Sequence, residues 1–264
     1  VIDSQALDVI RFYNTQTTHD AVLIAALPFR TRANVLAKFH SALSSPILSM
    51  VAMPQRFQSL FFRIEAFRIA NQIKKASVDI LICRNAMACH LALAARKALS
   101  QKEQLPFICY DGRGALKAES EEYDVYPTRY KKFLTHAEKR AVLNADFRIA
   151  VTPELEMWWR SEYGYSSKAH HIIPTTISTL SENFDPTATR KEWRDNFGFK
   201  NSDVVLAFAG GRADWQGLDD WLPQMKVWLK KIPDLKLLLL SPEHGEILQL
   251  KSTFPGRVIN TFVN

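Results

Sequence analysis

Between Val204 and Lys231 the sequence runs VVLAFAGGRADWQGLDDWLPQMKVWLKK, and this stretch constrains the fold more tightly than any other. An apolar run leads straight into Gly210-Gly211, and beyond a short polar loop the period changes from strand-like to helical. Leu218, Trp221, Leu222, Met225, Trp228, Leu229 and Ile232 recur at i, i+3, i+4 and i+7, which makes one apolar helix face. Strand, glycine turn and amphipathic helix are the first half of a βαβ unit. Such a turn leaves backbone N–H groups free at a helix N-terminus, where phosphate binds. Arg212 inside it adds a forked cationic group suited to a diphosphate. The same turn also serves as an ordinary strand-to-helix connection, and spacing alone favours that plainer reading.

Read in order, residues 3–13 form a short helix capped by Asp3 or Ser4. Strands follow at AVLIAALP and PILSMVAMP, and a helix from Phe57 to Lys75 marked by Phe57, Leu60, Phe61, Ile64 and Phe67, with Arg and Lys on its other positions. DILICR (79–84) is a strand entering the small-residue helix AMACHLALAARKAL. PFICYDGRG (106–114) is a strand ending in Asp111 and Arg113 among glycines. A long helix spans about Pro127 to Asn144. ADFRIAVTPELEMWWRSEYG then gives strand, Thr152 cap, Pro153 at the first helical position, helix, and Gly164 as stop. KAHHIIP is a further strand. Thr, Ser and Pro crowd residues 174–190, which reads as an interdomain connection. A short basic helix (RKEWRDNFG), the Val204 stretch, KLLLLS, a helix from about Pro242 and RVINTFV complete the chain. Strands alternating with helices predict α/β domains with parallel sheets and helices on both faces. The domains are residues 1–180 and residues 181–264, the second holding about three strands, half of a doubly wound sheet.

The formal net charge of +7 points to an anionic partner: nucleic acid, a phosphorylated small molecule or an acidic membrane. Nucleic acid is the weakest of these, since the chain has no dense arginine stripe. The basic aromatic segments FQSLFFRIEAFRIANQIKK and YPTRYKKFLTHAEKR suit an anionic lipid surface as well as a protein core. Cys83, Cys89 and Cys109 lie in or beside apolar segments without framework spacing and read as reduced, buried thiols. Cys89-His90 lacks a second ligand pair, so no metal site is expected. With no apolar run of spanning length and no signal peptide, the expectation is a cytoplasmic protein, soluble or peripheral at the inner face of the plasma membrane.

In the order of these features the chain resembles the retaining glycosyltransferases of the two-Rossmann (GT-B) fold, particularly glycosyltransferase family 4. The resemblance runs from DILICRNAMACHLALAARKA through FICYDGRG, AEKRAVLNADFRIAVTPELEMWWRSEYG and HHIIPTT to VVLAFAGGRADWQGLDDWL, and fades at PDLKLLLLS. It implies two Rossmann-like doubly wound domains, an acceptor-side one and a partial donor-binding one.

The family places a Gly-Arg at the end of the first C-domain strand and a Lys-Gly soon after, both addressing the donor diphosphate. Here Gly210, Gly211 and Arg212 match, while Gln216-Gly217 replaces the lysine, giving a hydrogen-bond donor without charge. Many members carry His-Asp at the end of the N-domain strand. This chain has Tyr110-Asp111 followed by Gly112-Arg113-Gly114 and resembles a bacterial subgroup with Asp-X-Arg-Gly and a nearby Glu. Glu119 fills that role, with Glu121 and Glu122 beside it. Arg84 sits where the family often has an arginine facing the cleft. Structural alternatives stand beside these assignments: Asp111 and Arg113 can pair across an exposed turn, worth about 0–1 kcal/mol, and Arg84 can simply cap its strand. Glu154 and Glu162 reproduce the spacing of the family's paired glutamates but fall in the wrong domain and read as a solvated face. His170-His171 reads as structural.

The resemblance implies transfer of a hexose from a nucleoside-diphosphate sugar to a glycan or lipid-linked acceptor, with retention, for a cell-surface polysaccharide. It implies no cofactor and no bound metal. Two alternatives come with it: a non-catalytic partner of an active transferase, which Gln216 permits, and another nucleotide- or sugar-phosphate-binding enzyme on the same scaffold. The resemblance also implies a piece of a longer protein, inactive alone, because a first N-domain strand is missing ahead of Asp3 and the paired glutamates should lie beyond Asn264.

Overall fold

The computed structural model describes residues 6–27, 32–42, 47–51, 55–99, 105–123, 126–175, 184–211 and 216–261. Every strand pairing among them is parallel. The chain divides into two units, Val1–Ser178 and Thr179–Asn264.

The first unit opens with α1 (Asp8–Gln16), β1 (Leu23–Leu27), α2 (Arg32–Ala42), β2 (Ile47–Val51) and α3 (Gln55–Lys75). It continues with β3 (Ile80–Arg84), α4 (Ala86–Ala98), β4 (Phe107–Gly112), α5 (Leu116–Glu122) and α6 (Thr128–Asn144), and ends with β5 (Phe147–Ala150), α7 (Pro153–Tyr163) and β6 (His170–Ile172). β1 pairs with β2, and the main sheet has the order β3-β4-β5-β6. Its core gathers Cys83, Cys89, Ile108, Tyr110, Val142 and Trp159. All three cysteines are buried and free, as their apolar surroundings predict. In the second unit α8 (Pro186–Asn196) precedes β7 (Val204–Ala209), α9 (Leu218–Lys231), β8 (Leu235–Leu240), α10 (Gly245–Thr253) and β9 (Val258–Thr261), with sheet order β7-β8-β9. Leu235, Leu237 and Leu239 of β8 are buried beneath Leu222, Met225 and Leu229 of α9 and Ile247 of α10.

Several elements follow directly from local chemistry. Thr152 accepts the N–H of Leu155 at 3.2 Å to start α7, and Gly164 ends it at φ +68°, a left-handed turn that favours glycine. α8 begins earlier than its basic segment, inside the stretch read as a connection. There Asp185 accepts the N–H groups of Thr187 and Ala188 at 2.8 and 3.1 Å, and Pro186 supplies the first position. α1 starts at Asp8, and the caps assigned to it, Asp3 and Ser4, lie outside the described residues.

α3 buries a different stripe from the bulky one that marks it in the sequence. Ile64 and Phe67 point outward, 52% and 58% exposed, while Ala66, Ala70 and Ile73 are buried. Ala70 and Ile73 pack with Ala95 of α4, so small residues let two helices approach closely. The larger side chains of the opposite stripe would hold them apart. Trp221 of α9 and Ile232 just after it are likewise exposed, leaving Leu218, Leu222, Met225 and Leu229 as a narrower buried stripe. The sequence reading contained neither α2 nor α5, both of which lack a full apolar stripe.

Candidate functional site

In an open parallel sheet, ligands bind beyond the carboxyl ends of the strands. β4 reaches that edge with Tyr110 and Asp111 on opposite faces, as strand alternation requires. Tyr110 packs against Trp159 at 5.5 Å between ring centroids. Asp111, only 4% exposed, lies opposite Arg84 in the β3–β4 register. Its Oδ2 accepts from Arg84 Nη1 at 3.2 Å and from Arg113 Nη2 at 3.0 Å, and its Oδ1 lies 2.9 Å from Arg113 Nε. The three charged residues singled out at the ends of β3 and β4 thus form one cluster. Burial, then the neighbouring Arg113 charge, pulls the Arg84 guanidinium below its ordinary value, against the pull of Asp111. The exposed turn bridge is not what forms: the carboxylate is buried and doubly paired. Asn85 fixes the strand end from the side. It adopts φ +78°, which asparagine tolerates, donates its N–H to the Asp111 carbonyl at 3.2 Å, and caps α4 by accepting from Ala88.

Two glycines here have spatial reasons. A Cβ on Gly112 would come within 2.5 Å of the Trp159 ring, and one on Gly114 would overlap the Glu119 carboxylate. Glu119 therefore lies back against Gly114, which separates it from Glu121 and Glu122. What holds α5 in place is a residue the sequence reading did not select. Glu138, 0% exposed on α6, accepts the N–H groups of Leu116 and Lys117 at 2.9 Å each and the Tyr163 hydroxyl at 2.7 Å. A carboxylate at a helix start completes orphan N–H groups and complements the dipole. Burial pushes the Glu138 carboxyl up, and its hydrogen bonds pull it back. A signal was present: Glu138 falls in phase with Leu134, Ala137, Ala141 and Val142, a charge at a core position of the helix.

Beside Arg113 and Gly114 opens a groove of about 320 Å³, completed by Val151, Thr152, Glu154 and Trp158. Glu162, by contrast, is committed to an ion pair with Lys117. His170 contacts the Tyr165 hydroxyl at 3.1 Å and Glu156 at 3.7 Å, in keeping with a structural role.

In the second unit, β7 ends at Ala209 and Gly210 donates its N–H to the Leu240 carbonyl at 3.1 Å. The Gln216 carbonyl oxygen folds back onto the N–H of Gly211, so in this structure that N–H is bound within the turn. Arg212 lies outside the described residues. One strand over, Ser241 is 1% exposed, and its Oγ has no hydrogen-bond partner among the described residues. The same holds for both ring nitrogens of His244. Among the described residues no three His, Cys, Asp or Glu side chains gather as a metal site, and no helix is long and apolar enough to cross a membrane.

Two α/β units built on parallel strands are the architecture shared with the GT-B structures reported next. Residues 40–179, more than half of the chain, match the model of Glycosyltransferase Family 4, and the chain belongs to that family. Among solved structures, a glycosyltransferase from Rickettsia africae ESF-5 superposes with a TM-score of 0.63 at 15% identity, covering 100% of this chain and 66% of its own. Sucrose-phosphate synthase from Thermosynechococcus elongatus follows at TM-score 0.58 and 15% identity, covering 83% of this chain and 55% of its own. A UDP-GlcNAc 2-epimerase from Neisseria meningitidis, bound to UDP-GlcNAc, gives 0.60 at 13% identity, covering 98% of this chain and 68% of its own. The chain thus spans less than two thirds of the length of the first two. No curated protein matches the sequence.

Proposed function

We propose that this protein transfers a sugar from a nucleoside-diphosphate donor to a glycan or lipid-linked acceptor, with retention of configuration, in the building of a cell-surface polysaccharide. In this reading the first unit serves the acceptor side and the second holds the donor through Gly210, Gly211, Arg212 and Gln216. The acceptor hydroxyl forms the new bond to the sugar's anomeric carbon while the bond to the diphosphate breaks. The hydroxyl proton passes to the departing phosphate oxygen. The protein's share is positioning and charge stabilisation, without a bound metal. A peripheral seat on an anionic membrane at the cytoplasmic face belongs to the same proposal.

The observation that carries it is Asp111: a buried carboxylate held by Arg84 and Arg113 at the carboxyl edge of β4, with the Glu119 carboxylate folded against Gly114 close by in sequence. Structural bridges are common, but this one stands where ligands of such sheets bind. The test is Asp111→Asn in the longest native form. Transfer should fall by about 100-fold or more, out of proportion to the fall in melting temperature that follows from leaving two partly exposed arginines without their carboxylate. A lower melting temperature with transfer preserved makes the cluster a structural device.

A second reading draws on two observations. The 2-epimerase neighbour shows that the fold also occurs in an enzyme bound to a nucleotide sugar but named for another chemistry, and Gln216 stands where the family uses lysine. Incubation with a nucleotide sugar and no acceptor separates the two: an epimerised sugar supports the second reading, and acceptor-dependent release of nucleoside diphosphate supports the first.

A further inference from the structure

The carboxyl edge of β8 carries more unpaired polar chemistry than any other part of the second unit described. Ser241 continues the inward phase of Leu235, Leu237 and Leu239, so its side chain is on the face of the sheet that carries the buried core, four residues ahead of α10. It is 1% exposed, and its hydroxyl has no partner among the described residues. His244 occupies the position before α10, with both ring nitrogens buried and unpartnered and without capping the helix. The first N–H groups of a helix have no partner within it. α10 is nine residues long and starts with Gly245, beside whose Cα there is open space: a Cβ there would meet nothing within 4 Å. Ala209 pairs with Leu240 in the β7–β8 register, and Gly210 bonds to the Leu240 carbonyl, so Gly210 is next to Ser241 across the ladder.

We propose that Ser241, His244 and the first turn of α10 form a second phosphate-binding element, which takes one phosphate group of the diphosphate assigned to the Gly210-Gly211 turn beside it. This rests on the donor reading of that turn. A hydroxyl, an imidazole N–H and helix N-terminal N–H groups are all donors, and donors converging at the positive end of a helix select an anion. Of the nearby carboxylates, Glu243 is held by Lys251 at 3.0 Å, and Glu246 is exposed in the first turn. The element also accounts for Gln216. A site that lacks the family's lysine gains uncharged donors from the neighbouring strand. Buried polar groups without partners weaken the unliganded fold, so the same atoms are expected to cost stability and to support binding.

The test uses the full chain with inorganic pyrophosphate as the probe, followed by calorimetry and thermal unfolding, on Ser241→Ala, His244→Phe and Arg212→Ala. Ser241→Ala should raise the melting temperature without pyrophosphate and weaken pyrophosphate binding by about ten- to a hundredfold, the range for losing one hydrogen bond to a charged group. His244→Phe should weaken it similarly. A lower melting temperature in Ser241→Ala would show that the hydroxyl has a structural partner and overturn the proposal. Unchanged affinity in both variants, with binding lost in Arg212→Ala, overturns it while leaving the glycine turn as the diphosphate site. If the unsubstituted chain shows no saturable binding, the donor reading of the turn fails, and this element with it.

Discussion

The carboxyl edges of the two sheets are built in opposite ways. At β4 the charges are answered from within: Asp111 by Arg84 and Arg113, Glu138 by two backbone N–H groups and a tyrosine hydroxyl. At β7 and β8 the Gln216 side chain closes on its own turn, and the Ser241 hydroxyl and the His244 ring nitrogens have no hydrogen-bond partner among the described residues. The first edge is therefore organised before anything binds, which is how fixed dipoles and charges act without reorganising. On the proposal above, the second is completed by the phosphate it takes. Both edges keep a buried oxygen without a hydrogen bond, Asp111 Oδ1 at the first and Ser241 Oγ at the second, but at the first that oxygen still faces the charge of Arg113.

The largest effect that sharpens this contrast is expected at Glu138. Glu138→Ala strips three donors of a fully buried acceptor and should cost about 3–5 kcal/mol in urea unfolding. A cost under about 1 kcal/mol would mean that the first edge does not depend on its internal bonds. Acid probes the same unit next. His90 is buried, stacked on Phe62 with ring centroids 4.3 Å apart, and its pKa is held down to about 4 from 6.5, by burial first and then by the Arg140 and His136 charges. A base depressed in the folded state takes up its proton in the unfolded chain first, so its share of stability is complete above pH 6.5. That share is lost as pH falls towards 4, on the order of 3 kcal/mol. His90→Phe should flatten this slope in pH-dependent unfolding; an unchanged slope removes His90 from the account.

The smallest test compares the same substitution at two strand ends. Gly112→Ala pushes a methyl against the fully buried Trp159 ring and should cost about 1–3 kcal/mol. Gly210→Ala meets the Gln216 side chain at 2.8 Å and the Phe208 ring at 3.2 Å. The end of a glutamine can move aside, so the cost should stay below about 1 kcal/mol. Equal costs would erase the difference in rigidity between the two edges.

Most strands and helices were legible because period and punctuation agree: alternating or leucine-rich runs, Thr152-Pro153 at one helix start and Gly164 at its end. Legibility failed where a helix is held by something other than its apolar stripe. α5 depends on a carboxylate from α6, a partner distant in sequence. α3 shows a competing pattern, since its bulky stripe and its alanine stripe both have helical spacing, and helix–helix approach decides in favour of alanine. At the candidate site, the strand ends and their charged residues could be named from sequence, with Asp111, Arg113, Arg84 and Glu119 close to where the reading put them. That Glu119 packs against Gly114 required coordinates. Ser241 carried a readable sign, because the inward phase of LKLLLL continues onto it. A hydroxyl at the end of a leucine run is easily passed over as the start of a loop.

The adjacency of Tyr110 and Asp111 bears on how β4 avoids misfolding. One faces the aromatic core and the other faces two arginines, and only the pleat separates them. If β4 entered the sheet displaced by a single residue, a carboxylate would be driven against Trp159, and a phenol ring would be left between guanidinium groups. Neighbouring steps along the same strand therefore carry opposite and heavy penalties for error. A one-residue slip is strongly disfavoured, and the residues that hold the site together also fix the register of the first unit's sheet.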